Sequence, residues 1–153
     1  MCTWARLVAI DDGSPVYVFN VHLDHRGVAA RRASTLLVRE RMRAITSREG
    51  QQGEAVLLGD FNSAEDDEAI TALTSPRADD EFPLTDVWRS THPDEAAGTF
   101  TAFDPMNDGG TRRIDYLFVT RGWRVRGAGI DRSRRDGRWP SDHFPVWVEL
   151  ERG

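Results

Sequence analysis

Two apolar runs constrain this chain more than any other feature: Val16-Tyr17-Val18-Phe19-Asn20-Val21-His22-Leu23 and Ala55-Val56-Leu57-Leu58-Gly59. Both have the β-branched, aromatic and aliphatic content of buried strands. Both then run straight into polar residues, Asp24-His25 after the first and Asp60-Phe61-Asn62 after the second. Side chains alternate across a strand, so Asn20 and His22 share one face, and Asp60 and Asn62 share one face. Two further apolar segments carry the same mark. Asp115 interrupts Ile114–Thr120, and Ser141-Asp142-His143 directly precedes Val146–Leu150. A buried charge without a partner costs several kcal/mol. A single strand-end Asp is ordinarily a turn residue, and a single His is ordinarily just hydrogen-bonded. Recurrence at all these strand ends points instead to one shared polar site.

The rest of the chain supplies the frame. Asp11-Asp12-Gly13-Ser14-Pro15 is a turn that joins Val16–Leu23 to an earlier strand over Thr3–Ile10, as an antiparallel hairpin. Ala29–Thr46 reads as an amphipathic helix with Ala30, Ala33, Leu37, Ala44 and Ile45 near its apolar face and many exposed arginines. Gly50–Gly53 is a polar break. Ser63 and Asp66 suggest the N-cap of a short helix ending at Leu73, and Ser75–Pro83 reads as loop. Thr99–Phe103 reads as a strand before the loop Asp104–Thr111, whereas Arg121–Pro140 is Arg- and Gly-rich without clear period. This is a mixed α/β chain with more strands than helices, and its 153 residues make one domain, 1–153.

Composition removes several function classes. The single Cys2 forbids an internal disulfide and a cysteine-based zinc site. All 20 basic residues are Arg, which removes the phosphate-loop lysine, Schiff-base chemistry and a Ser-Lys nucleophile. The net charge of −5 counts against a non-specific nucleic-acid coat, though not against a local basic groove. No apolar run approaches ~18 residues, so no membrane span is expected. No signal peptide is visible, and a cytoplasmic location is the expectation for the chain as given.

Asn20-Val21-His22-Leu23-Asp24-His25, Gly59-Asp60-Phe61-Asn62, Arg113-Ile114-Asp115-Tyr116 and Ser141-Asp142-His143-Phe144-Pro145 together resemble the ordered signatures of the endonuclease/exonuclease/phosphatase superfamily. One such tetrapeptide is weak; the ordered set is specific. The resemblance implies a deoxyribonuclease I-like α/β (α+β) fold, a four-layer α/β/β/α sandwich with mostly antiparallel sheets, present here in part. It further implies hydrolysis of phosphoester or phosphodiester bonds by direct attack of water at phosphorus, with Mg²⁺ or Mn²⁺. In that scheme Asp60 orients or deprotonates the water and Asn62 holds it or a phosphate oxygen. Asp142, with Asp60, ligates the metal. His143 stabilises developing charge or transfers a proton, and Asp115 fixes its tautomer. His22, supported by Asn20, contacts the phosphate or assists the leaving oxygen. Apart from the resemblance, the pair Arg112-Arg113 lies beside the Asp115 segment and could meet phosphate, with Arg113 the expected substrate contact. Such roles suit the residue types, because Mg²⁺ prefers oxygen ligands and phosphoryl transfer needs charge neutralisation and positioning.

The family domain normally supplies, ahead of these motifs, a strand ending in Asn and a metal-binding Glu; residues 1–15 contain neither residue type. The expectation is therefore a domain truncated at its N-terminal side, with self-association through the face so exposed. The contrasting function is a non-catalytic half-domain that binds itself or a partner. Substrate class stays open between nucleic acid, a phospholipid head group and a small phosphoester.

Other signals have plainer readings. Zinc held by His22 and His25 would need a chain turn after Leu23 and further ligands. The arginines 132, 134, 135 and 138 read as a solvated loop before a polyanion grip, and Trp139 as packing before base stacking. Asp66-Asp67-Glu68 suit a helix start, and Asp79-Asp80-Glu81 a solvated loop.

Overall fold

The structure, a computed structural model, describes residues 1–48, 51–75 and 82–153. Asp79-Asp80-Glu81 lie outside the described residues. The chain opens with the expected hairpin: β1 (Cys2–Val8) pairs antiparallel with β2 (Pro15–His22). Helix α1 (Val28–Thr46) then crosses over and leads, through the short pair β3 (Ser47–Arg48) and β4 (Gln51–Gln52), to β5 (Ala55–Asp60). Strand β5 runs parallel to β2, as a helical crossover requires. Helix α2 (Glu68–Thr74), β6 (Thr85–Asp86) and helix α3 (Val87–Thr91) follow. The chain closes with β7 (Asp115–Val119), β8 (Trp123–Ile130) and β9 (Val146–Arg152).

One sheet has the order β1-β2-β5-β7-β6, and all its pairings except β2 with β5 are antiparallel. Strand alternation divides its side chains between two cores. Tyr17, Phe19 and Val21, Ala55 and Leu57, and Tyr116 and Phe118 point to one face. There they meet Met42 of α1, Ile70 and Leu73 of α2, and Phe61. On the other face Val56, Leu58, Leu117 and Val119 meet Val87 of α3 and Trp123, Val125, Ala128, Val148 and Leu150 of the β8–β9 hairpin. Each large side chain so buried contributes about 1.5–3 kcal/mol. Strand β1 is an exposed edge, with Trp4 resting on Phe19 at 6.0 Å between ring centroids.

Some expectations change. Thr99–Phe103 is not a strand: only Phe100 forms an isolated bridge, to His143, and Ala102 and Phe103 take left-handed backbone, φ 54° and 62°. Strand β8 arises inside the stretch that reads as aperiodic. The N-cap of α2 is Asp67, beyond the expected Ser63 and Asp66 pair, and the Ser63 hydroxyl is engaged elsewhere. The buried face of α1 is Arg31, Thr35, Met42 and Thr46, with Val38 and Ile45 beside it; Leu37 is exposed.

Candidate functional site

The polar strand ends meet because of register. His22 pairs with Asp60 across the parallel β2–β5 ladder, and Asp60 pairs with Asp115 across the antiparallel β5–β7 ladder. Directly paired residues of neighbouring strands point to one face. His22, Asp60 and Asp115 thus form a row across the end of the sheet, on the face that also carries β8–β9. Gly59 makes this possible: a Cβ there, at φ 127°, would stand 2.0 Å from the Val21 carbonyl oxygen and 2.8 Å from Asn20 Oδ1. Only glycine lets β5 lie so close to β2 at this point.

His143 comes to the row from the loop before β9. Its Nδ1 bonds Asp115 Oδ2 at 2.8 Å, and its Nε2 lies 4.0 Å from Asp60 Oδ2. His22 Nε2 lies 3.4 Å from the same Asp60 oxygen, with its side chain 72% exposed. Asp60 Oδ1 and Oδ2 accept from the Asn62 backbone N–H at 2.7 Å and its amide Nδ2 at 3.0 Å. Asn62 also donates to the Leu23 carbonyl at 3.1 Å and holds a left-handed φ of 48°, a conformation Asn tolerates. The amide therefore orients Asp60 and ties the ends of β2 and β5 together.

Burial pushes the Asp115 carboxyl above its ordinary value, against the opposing hydrogen bonds from Thr99 and His143. For His143, burial works against the charged ring, but Asp115 by hydrogen bond and charge, with Asp60 and Asp142, outweighs it and holds the pKa above the ordinary value. Two loops fix this pair. Thr99 Oγ1, fully buried, accepts from the backbone N–H of Ile114 at 3.1 Å and of Asp115 at 3.3 Å. Thr101 donates from its backbone N and hydroxyl to the Asp142 carbonyl, at 2.7 and 3.0 Å. The Phe100 ring meets the His143 ring edge-on at 5.0 Å.

Ligand atoms of Asp60, Asp115 and His143 all lie within 4.8 Å of one another, and these three could hold a metal ion. Carboxylates keep lone pairs beyond those already used, so the donor set fits Mg²⁺ or Mn²⁺ completed by water and substrate oxygen. Asp142 stands beside this group and contributes its charge to His143. His25 does not join His22: its Nε2 accepts from Arg26 Nε at 3.1 Å, because Asp24 turns the chain by accepting from Arg26 N and Gly27 N. Asn20 is exposed on β2, its Oδ1 over Gly59.

Arg113 corrects an expectation. Its side chain is 4% exposed and forms a two-pronged pair with Asp86, Nη1–Oδ1 3.0 Å and Nη2–Oδ2 2.6 Å. It also lies over the Tyr116 ring, which satisfies the cation within the protein, not at the substrate. Arg112 is the exposed member, 3.9 Å from Asp67. Arg31 is the residue that sequence reasoning missed. Buried, it donates to Ser63 Oγ at 2.9 Å and to the Asp24 carbonyl at 3.1 Å. It clamps the loops that follow His22 and Asn62. Its only sequence signal is an arginine on the first turns of a helix that starts just after the polar strand end.

A family model described as the Endonuclease/Exonuclease/phosphatase family matches residues 2–143. Among solved structures, a mannosyl-6-phosphatase of Bacteroides thetaiotaomicron is 34% identical with a TM-score of 0.80, over 98% of this chain and 56% of that one. An endonuclease/exonuclease/phosphatase family protein of the same organism is 33% identical with a TM-score of 0.82, over 97% of this chain and 53% of that one. The human Nocturnin catalytic domain, 18% identical, shares the fold with a TM-score of 0.75, over 99% of this chain and 53% of that one. The chain spans little more than half the length of these relatives. No curated protein matches it.

Proposed function

The chain belongs to the endonuclease/exonuclease/phosphatase family, a family of phosphoester hydrolases, and we propose that it cleaves its ester by direct attack of water at phosphorus with the help of Mg²⁺ or Mn²⁺. The observation that carries this reading is the in-register row His22, Asp60, Asp115 with His143 locked on Asp115 at 2.8 Å. No serine or cysteine nucleophile is needed.

Asp60, held by both Asn62 donors, orients the attacking water and takes its proton. His143 donates from Nδ1 to Asp115, so its Nε2 faces the reacting group. As an imidazolium it stabilises charge that builds on the phosphoryl oxygens. His22, beside Asp60 and open to solvent, contacts the phosphate or assists the departing oxygen. Asp60 and Asp142 would hold the ion beside the Asp115–His143 pair, and when bound it would neutralise phosphate charge and make water easier to deprotonate. Identity of 34% to a mannosyl-6-phosphatase favours a small sugar phosphate monoester among the substrate classes.

The test is hydrolysis of p-nitrophenyl phosphate and bis(p-nitrophenyl) phosphate by the 153-residue chain with Mg²⁺ or Mn²⁺, with chelator, and with His143→Ala. Metal-dependent release of nitrophenol that falls by about 10²–10⁴-fold in the variant is expected. A folded chain that hydrolyses neither ester overturns the reading and leaves the non-catalytic half-domain. The ratio between the two esters separates phosphatase from phosphodiesterase.

A further inference from the structure

Residues 134–139 form a small cationic hairpin at the root of the loop that carries His143. Asp136 and Gly137 both have positive φ, 51° and 73°, the signature of a two-residue type I′ turn. Arg135 and Arg138 flank it and exchange both backbone hydrogen bonds, each at 3.0 Å. Directly opposed residues of such a pair project to the same side, where like charges disfavour the hairpin. Asp136, between them, offsets only one of the two charges and pairs with neither. Among the described residues, neither guanidinium has a hydrogen bond or ion pair.

Neighbouring arginines behave differently. Arg132 donates to the carbonyls of Asp108 and Gly98 and covers Phe144. Arg134 lies flat on Trp139, 3.7 Å from the ring centroid. Arg135 and Arg138 instead border a concavity of about 500 Å³, together with Asp136, Trp139 and Pro140. Its floor is rigid. The buried Trp139 ring packs edge-on against Phe144 at 4.8 Å, and its indole N–H donates to the carbonyls of Asp104 at 3.0 Å and Asn107 at 3.1 Å. Only Pro140, Ser141 and Asp142 separate Trp139 from His143, so the two backbones are at most ~14 Å apart.

Resting on the phosphoesterase reading, we infer that the Arg135–Arg138 hairpin binds a second oxyanion, a phosphate or carboxylate, carried by the substrate whose ester is cleaved beside His143. Two guanidinium forks suit a planar or tetrahedral oxyanion in bidentate geometry. The anion also relieves the repulsion that the turn imposes. Asp136 lines the same concavity and leaves the rim a net single positive charge, which selects a compact anion over a long polyanion.

The experiment compares a hexose bisphosphate with the corresponding monophosphate, in wild type and in Arg135→Gln/Arg138→Gln. Wild type is expected to prefer the bisphosphate in KM, and the double variant to lose about tenfold of that preference. An unchanged ratio overturns the inference. A wild type that cleaves neither hexose ester refutes the sugar-phosphate choice of substrate, and the phosphoesterase reading too if the nitrophenyl esters also stay intact. The hairpin is then decided by calorimetric titration of tripolyphosphate into the metal-free proteins. Weaker binding in the variant supports the anion site, and equal binding overturns it. Inorganic phosphate as competitor separates the sources: inhibition that is lost in the variant means free phosphate also occupies the hairpin. Arg135→Lys/Arg138→Lys, which keeps the charge and removes the forks, should recover part of the preference.

Discussion

Replacing Arg113 by Met removes one partner of a buried ion pair and leaves the other in place. Among the described residues, Asp86, 7% exposed, would then keep only the N–H groups of Trp88 at 3.0 Å and Arg89 at 3.4 Å, which it caps at the start of α3. Breaking a buried pair in this way costs about 3–5 kcal/mol. The retained cap bonds and the nearby Glu65, which also loses its cationic neighbour at 3.7 Å, act in opposite directions, so the middle of that range stands. Against a domain stability of about 5–15 kcal/mol, this is a large fraction. In urea, with a slope of about 1–3 kcal/mol per M, the midpoint falls by more than 1 M. Arg113→Met, Asp86→Leu and the double variant should give a coupling above about 2 kcal/mol, because removing both charges spares the stranded carboxylate. A loss below about 1 kcal/mol in Arg113→Met, with a rise in KM, would refute this and return Arg113 to the substrate.

Gly59→Ala should destabilise more than the usual surface change, because its Cβ meets the Val21 carbonyl oxygen at 2.0 Å and its φ is 127°. A thermal unfolding midpoint equal to wild type would contradict the close approach of β5 to β2. Asp115→Asn should lower kcat by about 10²-fold or more and affect KM less, since Asp115 acts through His143; equal loss in both would place it in substrate binding. Hydrogen bonding to Arg89, opposed in part by burial, holds the Glu65 carboxyl below its ordinary 4.5. Its contribution is therefore present above that value and lost as pH falls through the lower folded value. The difference in unfolding free energy between wild type and Glu65→Gln should be full at neutral pH and vanish in strong acid. A difference independent of pH would mean that packing, not charge, is lost.

Strands β2, β5 and β7 were legible because their apolar alternation is strong and their polar ends are abrupt. Strand β8 was not, because its sequence Trp-Arg-Val-Arg-Gly-Ala-Gly-Ile gives one face to arginine and glycine, with Trp147 lying across Gly129. Thr99–Phe103 has strand composition, yet Thr99 and Thr101 spend their polar groups on Asp115 and Asp142. The local preference yields to positioning of the site. On α1 the apolar count misplaces the buried face because Arg31 is buried and Leu37 exposed. Arginine burial depends on partners distant in sequence, here Ser63 and, for Arg113, Asp86. No local pattern announces them.

Register and connection together explain why the polar groups of the proposed site gather at this edge. Strands β2 and β5 are parallel, so the α1 crossover brings both C-terminal ends to one side of the sheet. Strand β7 is antiparallel to β5 and brings its N-terminal end to the same side. Acidic groups there rest on a rigid apolar body but stay partly exposed, which limits their desolvation. What must still be fixed is the loops beyond the strands. Asn62 bonds the β2 end, Arg31 joins Asp24 to Ser63, and the Tyr116 hydroxyl donates to the carbonyls of Ser63 and Arg113. Each crossing contact links segments distant in the chain, so the loop geometry is set by the same core that forms the sheet. Side chains assembled this way are oriented in advance, which is the condition the proposed hydrolysis needs for electrostatic stabilisation without reorganisation.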